Sequence, residues 1–337
     1  MFVQELENRV LFAAAVAPRV TSVVADNRGE VLINLTPGVS LDPTSVNKGS
    51  ALIYTAGKDG KLGTSDDVRL SESVSYSSSA NRITLRAKVK AGTGYRVRLI
   101  ASRIKAAKTS ALLDGEFTGA FPSGNGTAGG DFNLQTKNDK SNRPTVRMST
   151  SRGLVTLSLF ADKAPKTVAA FLGRANAGLY DNLFVTRSLD GTLVQAGSLR
   201  IDDLNKVIEN PIGEGAVPES TGLNNVTGTI SMDRLKLNTG LEGTSFFFNL
   251  KNNTNFDSTS KRYTVFGQAS GASSLAVLDA INKLSTVDLT QQGYFYTLTD
   301  TTRVPVNDAA PAQASFNPTR DAIIIRRTAV VMKIGRI

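Results

Sequence analysis

Apolar and polar residues alternate along much of the first third of the chain. Val31, Ile33 and Leu35 form one such set. Ile83, Leu85, Ala87 and Val89 alternate with Arg82, Thr84, Arg86, Lys88 and Lys90, and Tyr95, Val97 and Leu99 alternate with Arg96 and Arg98. A period of two turns one face of a strand toward a core and the other toward water. With Gly, Asn, Asp and Ser turns between the sets, residues 18–121 predict an antiparallel β-sandwich. The Arg/Lys side of the 83–89 strand is expected to be solvated and to discourage edge pairing.

The pattern lapses at 122–143, where Pro122 to Asp131 is rich in Gly, Ser and Asn and a polar stretch follows. Such a composition predicts a linker. Beyond it, Val155, Leu157 and Leu159 alternate with Thr156 and Ser158 as a half-buried strand. The period then lengthens. Pro165 suits a first helical turn, Val168, Phe171, Leu172 and Ala175 share a stripe, and Gly178 supplies a stop. A second helix is expected over about 273–284, with Leu275, Val277, Leu278, Ile281 and Leu284 on a broad apolar face. The remainder reads as strand and loop, which predicts a closed β-barrel capped by two helices. The expected fold class is mainly β, divided as a leading segment 1–17, a sandwich 18–121, a linker 122–143 and a barrel 144–337.

Composition narrows the chemistry. A chain of 337 residues with 40% hydrophobic and 20% charged residues can bury two cores. It has no Cys and no His, which excludes disulfides, thiolate chemistry, Ser-His and Cys-His catalysis and imidazole metal sites. A metal would need oxygen ligands. The stretch Gly57 to Asp67, with Asp59, Asp66 and Asp67, is open to two readings, a calcium cage or hairpin turns, and its spacing is not that of an EF-hand. No cofactor and no metal in the reactive site are predicted. The net charge of +10 serves solubility and also suits an anionic cell-surface component as a partner. No dense Lys/Arg run points to nucleic acid. The apolar run Val10 to Ala17 is too short to span a bilayer.

Two resemblances add to this reading. Leu6-Glu7-Asn8-Arg9-Val10-Leu11-Phe12-Ala13 resembles the short sorting motif that opens many exported planctomycete proteins, implying an extracellular or cell-surface destination. The first sandwich, with Leu41-Asp42-Pro43-Thr44-Ser45-Val46, resembles bacterial Ig-like domains.

The second half carries more specific blocks. Leu159-Phe160-Ala161-Asp162-Lys163-Ala164-Pro165-Lys166-Thr167-Val168, Gly178-Leu179-Tyr180-Asp181, Gly228-Thr229-Ile230-Ser231-Met232, Phe246-Phe247-Phe248-Asn249-Leu250 and Tyr263-Thr264-Val265-Phe266-Gly267 occur in order. Together they resemble the cyclophilin-type peptidyl-prolyl cis-trans isomerases. That resemblance implies isomerisation of X-Pro bonds in proline-containing polypeptides, a reaction suited to a chain without His or Cys. Amide resonance holds the bond behind a barrier of roughly 18–20 kcal/mol. An apolar grip on the proline ring, with hydrogen bonds that favour the twisted amide, is enough to lower it.

The same resemblance implies site residues. Arg187 would be the catalytic arginine. Gln195 would orient the substrate carbonyl and support the arginine. Leu193, Met232, Phe247, Phe256 and Tyr263 would bind the substrate. Two departures count against full activity: Thr192 stands where the family has a pocket phenylalanine, and Ser245 where it has a glutamine that contacts the substrate backbone. Thr186 stands where it has a histidine, at a mostly structural position. An isomerase of reduced activity and a catalytically silent binding or scaffold domain of the cell surface are the two readings left open.

Overall fold

The computed structural model describes residues 16–25, 29–70, 72–90, 92–137, 143–210, 217–234, 242–258, 263–289, 303–307 and 316–331. The Leu6 to Ala13 motif lies outside them. The alternating sets of the first third become β1 (Val20–Ala25), β2 (Glu30–Leu35), β3 (Ala51–Thr55), β4 (Val68–Arg69), β5 (Ser73–Ser77), β6 (Arg82–Arg86), β7 (Gly94–Leu99) and β8 (Phe132–Lys137). They make two four-stranded antiparallel sheets, ordered β1-β2-β6-β5 and β4-β3-β7-β8. Val31, Ile33, Ile83 and Leu85 of one sheet share a core with Ile53, Tyr95, Val97 and Leu99 of the other.

One detail departs from the sequence reading. Part of the expected linker is folded onto the sandwich. The Ser123 hydroxyl is buried, accepting from the Val20 amide at 2.8 Å and donating to the Asp114 carbonyl at 2.8 Å. Residues 132–137 form β8 on the edge of β7. Phe132 is fully buried against Phe117 and Phe121, and Asp131 pairs with Arg98 at 2.7 Å. Polar composition concealed this strand because only Phe132 and Leu134 give it an apolar side.

The Gly57–Asp67 loop follows one of the two readings left open for it, the hairpin turn. The Asp66 carboxylate accepts from the Asp59 amide at 3.1 Å, and Asp59 accepts from the Lys61 amide at 2.8 Å. Asp67 accepts from the Gly63 amide and pairs with Arg96, both at 2.9 Å. These carboxylates tie the turn together. Among the described residues no group of three or more acidic side chains is placed to hold a metal ion.

The second half supplies β9 (Thr145–Thr150), β10 (Gly153–Leu159), α1 (Pro165–Asn176), β11 (Leu183–Leu189), β12 (Leu193–Ile201), β13 (Val207–Glu209), β14 (Thr229–Arg234), β15 (Glu242–Asn249), β16 (Thr264–Ala269), α2 (Gly271–Asn282), β17 (Thr286–Val287), β18 (Val304–Pro305), α3 (Pro318–Asp321) and β19 (Ile324–Val331). The sheet runs β11-β19-β9-β10-β16-β14-β15-β12, and β11 pairs with β12, so eight strands close into a barrel with β13 added at the edge of β12. Alternate residues fill the interior: Val155, Leu157 and Leu159, Val194 and Ala196, Ile230 and Met232, Phe246 and Phe248. Phe171 of α1 plugs one end, with Tyr180, Phe246 and Phe266 at ring separations of 4.9, 5.6 and 5.1 Å. Helix α2 contributes Leu278 and Ile281.

Helix α1 is covered on two sides. Val168, Phe171 and Leu172 face the barrel, while Val24 and Leu32 of the first sheet join the same apolar cluster from outside. The Ser22 hydroxyl donates to the Ala169 carbonyl at 3.0 Å, and the Asn176 amide donates to the Thr21 carbonyl at 2.7 Å. The close approach needs Gly173, where a Cβ would lie 3.0 Å from the Thr21 hydroxyl and 3.3 Å from Asn34. The first turn of α1 has no acidic residue of its own. Glu219 and Glu242 fill that role from elsewhere: the Thr167 amide donates to Glu219 at 2.8 Å and its hydroxyl to Glu242 at 2.9 Å, an arrangement favoured by the helix dipole. Burial, with the like charge of Glu219 adding to it, pushes the Glu242 carboxyl up to about 7 against hydrogen bonds from Thr264 and Thr167 and the charge of Arg174.

Candidate functional site

The register of the barrel strands decides which residues share its outer face. Arg187 of β11 is opposite Gln195 of β12, Gln195 is opposite Phe247 of β15, and Phe247 is opposite Ser231 of β14. Directly paired residues point the same way, so these four form one row. Their neighbours Val194, Ala196, Phe246 and Phe248 are in the interior cluster, so the row points outward. A shift of register between Val185 and Arg187 makes this possible. Val185 faces the interior, and a regular strand would send Arg187 there too. The strand spacing puts the backbones of Arg187 and Phe247 about 10 Å apart.

Three aromatic rings meet at one end of the row. Phe247 lies 5.5 Å from Phe256 and 5.2 Å from Tyr263, and Phe256 and Tyr263 are 5.4 Å apart, all edge to face. Such contacts each contribute about 0.5–1.5 kcal/mol beyond burial, so the cluster forms a stiff apolar wall. Burial raises the Tyr263 phenol above its ordinary range and Asp233 adds to the rise, while Arg234 and Arg187 oppose it. The guanidinium of Arg187 is therefore within electrostatic reach of the aromatic cluster. Leu193, two residues before Gln195 on β12, is buried on this same side of the sheet.

Buried amides hold the frame from below. Asn282, at the end of α2, accepts from the Gly191 amide at 2.7 Å and donates to the Ser188 hydroxyl at 2.8 Å and the Leu189 carbonyl at 2.9 Å. This ties down the turn that joins the strands of Arg187 and Gln195. Asn253 donates to the Asn249 side chain at 2.8 Å and the Thr192 carbonyl at 3.1 Å. Asp257 accepts from the Asn225 side chain at 2.7 Å. The short 3-10 turn Thr254–Phe256 is held between these bonds and so carries Phe256 to the other rings. These asparagines escaped the sequence reading. Asn282 closes a helix and Asn253 and Asn225 sit in loops, positions at which Asn is too common to single out.

Most of the expected site residues converge. Arg187, Gln195, Leu193, Phe247, Phe256 and Tyr263 all belong to this face. Met232 does not. It is 1% exposed and packs inside the barrel with Phe246 and Phe248. Alternation along β14 gives the outward positions to Ser231 and Asp233 instead, and Asp233 was missed.

Two neighbours hold Gln195. Its Nε2 donates to the Asp233 carboxylate at 2.8 Å and to the Ser245 hydroxyl at 3.0 Å. Ser245, in the place of the family glutamine, supports Gln195. Thr186 is fully buried, with its hydroxyl directed at the Gln195 carbonyl at 3.4 Å, which is a framework position. Thr192 sits in the β11–β12 turn, its hydroxyl donating only to the Asp190 carbonyl at 3.0 Å, and it adds no aromatic wall. The arrangement offers an apolar clasp in register with a cation.

Comparison with known proteins agrees with this geometry. The model of the cyclophilin type peptidyl-prolyl cis-trans isomerase family matches residues 145–302. Peptidyl-prolyl cis-trans isomerase A of Dickeya dadantii is 32% identical over 143 residues, which span 42% of this chain and 72% of that protein. A peptidyl-prolyl cis-trans isomerase of Helicobacter pylori is 31% identical over 145 residues, 40% of this chain and 79% of the relative. Isomerase B of Escherichia coli is 27% identical over 148 residues, 44% of this chain and 88% of its own length. Two relatives above 30% identity, each covered over more than two thirds of its length, place the chain in the family: it belongs to the cyclophilin-type peptidyl-prolyl cis-trans isomerases.

Proposed function

We propose that the chain catalyses cis–trans isomerisation of X-Pro bonds in polypeptides on the outer face of its barrel. The observation that carries this is the aromatic clasp of Phe247, Phe256 and Tyr263 set in register with Arg187. The proline ring packs on Phe247, and the bond to be twisted then lies toward Arg187. As resonance breaks, the imide nitrogen regains a lone pair, and the guanidinium hydrogen-bonds this developing acceptor or the neighbouring carbonyl. No proton leaves the substrate, so the reaction requires no general base.

The test is a protease-coupled proline-isomerisation assay on the full chain. Arg187→Ala should lower kcat/KM at least roughly tenfold, about 1.4 kcal/mol of transition-state stabilisation. Arg187→Lys should not restore it, because an ammonium lacks the planar fork. A wild-type chain no faster than the uncatalysed reaction would overturn the proposal. The open wall at Thr192 favours the second reading, a silent binding module, which would bind X-Pro peptides without accelerating them.

The remaining features are consistent with a surface role. The shared core of the two N-terminal sheets supports an Ig-like sandwich that extends through β8. The Leu6 to Ala13 motif supports export, and the net charge of +10 supports attachment to an anionic surface component. Among the described residues, no helix is long and apolar enough to cross a membrane.

A further inference from the structure

Gln195 is 7% exposed, and its side-chain amide has two different edges to offer. A carboxylate can only accept hydrogen bonds, so the atom of Gln195 that lies 2.8 Å from Asp233 Oδ2 must be its nitrogen. The second N–H of that nitrogen goes to the Ser245 hydroxyl at 3.0 Å. Ser245 is free to accept because its own proton is directed at the Ala196 carbonyl at 3.3 Å. Both donors of Gln195 are thereby consumed on the side of β14 and β15. The other oxygen of Asp233 accepts from the Arg234 amide at 2.8 Å, which fixes the carboxylate in turn.

We propose that Asp233 is a positioning residue of the isomerase site: with Ser245 it locks the Gln195 amide so that only the acceptor Oε1 remains for Arg187 or the substrate. Oε1 can receive an N–H from the guanidinium opposite it or from the peptide. It cannot donate to a substrate carbonyl, so in this chain that donor is Arg187 and not Gln195. Asp233 acts through Gln195 and need not touch the substrate. This inference rests on the proposed reading of the site.

The test uses the full chain and a chromogenic tetrapeptide containing an Ala-Pro bond, together with the NMR signals of the Gln195 side-chain amide. Asp233→Ala should lower kcat roughly tenfold with KM within about twofold, because the ring clasp is untouched while Arg187 loses its oriented acceptor. The two amide protons of Gln195 should also lose their separation and exchange faster. Asp233→Asn, oriented to keep an oxygen toward Gln195, should rescue both readouts. Ser245→Ala removes the second acceptor and should shift them in the same direction, which keeps the idea testable should Asp233→Ala not fold.

Unchanged kinetics and unchanged amide signals in Asp233→Ala would overturn the inference. So would equal damage in the Ala and Asn variants, or a fall in melting temperature with the Gln195 signals unmoved. An inactive wild type would instead sink the isomerase reading, while the amide signals would still report whether Asp233 holds Gln195.

Discussion

Replacing Glu242 by Gln should stabilise the protein above neutral pH and weaken it slightly in acid. Glu242 is 2% exposed at the start of β15, near Glu219, with its carboxyl raised from 4.5 to about 7 chiefly by burial. Between those two values the folded chain keeps a proton that the unfolded chain has released. Stability from this group is therefore complete below about pH 4.5, declines as pH rises, and levels off above 7. The gap of about 2.5 units, at 1.36 kcal/mol each, amounts to on the order of 3 kcal/mol. Gln stays neutral throughout and escapes that decline. It gives up part of the hydrogen bonding around Thr167, which costs about 1 kcal/mol. The net expectation is a gain of about 2 kcal/mol at pH 8, or about 3 °C in Tm for a chain of this size, and a loss of about 1 kcal/mol at pH 4.5. Urea unfolding of both proteins at half-unit steps from pH 4.5 to 8.5 reads the difference directly. A constant difference across that range would refute the assignment of a raised carboxyl to Glu242.

Two further changes probe the active face and its frame. Thr192→Phe should add the missing aromatic wall, lowering KM and raising kcat/KM several-fold in the coupled assay, since the Thr192 hydroxyl bonds only the Asp190 carbonyl of its own turn. Gly197→Ala should destabilise the barrel by about 3 kcal/mol or more, because φ is +112° there and a Cβ would lie 2.4 Å from the Thr244 carbonyl. An unchanged denaturation midpoint would remove that argument.

The sequence displayed its structure where one periodicity acted alone. Val155, Leu157 and Leu159 alternate and are buried, and the 3.6-residue stripe of α1 meets the barrel as expected. It was opaque where two partners compete for one element. Leu32 falls on the side of β2 that alternation assigns to water, yet it is 2% exposed because α1 covers it. Nothing local in β2 announces a helix from beyond residue 160. Arg187 was found through motif resemblance; its outward direction depends on an irregular register that spacing cannot show. Met232 is the converse case. The motif block ended on it, but parity with Ile230 sends it inward and gives the outward place to Asp233. Alternation across the paired strands carries this signal, whereas motif resemblance does not.

The placement of α1 has a mechanical consequence. A helix wedged between two bodies acts as a common keel. To swing the barrel away from the sheet of β1 and β2, Val24 and Leu32 would have to leave their apolar contacts while the Ser22 and Asn176 bonds broke together. These losses fall in one step, so the joint resists small rotations and does not hinge freely. The outer face that carries Phe247 is therefore held at a set angle to the sandwich, and whatever turns one body carries the other with it.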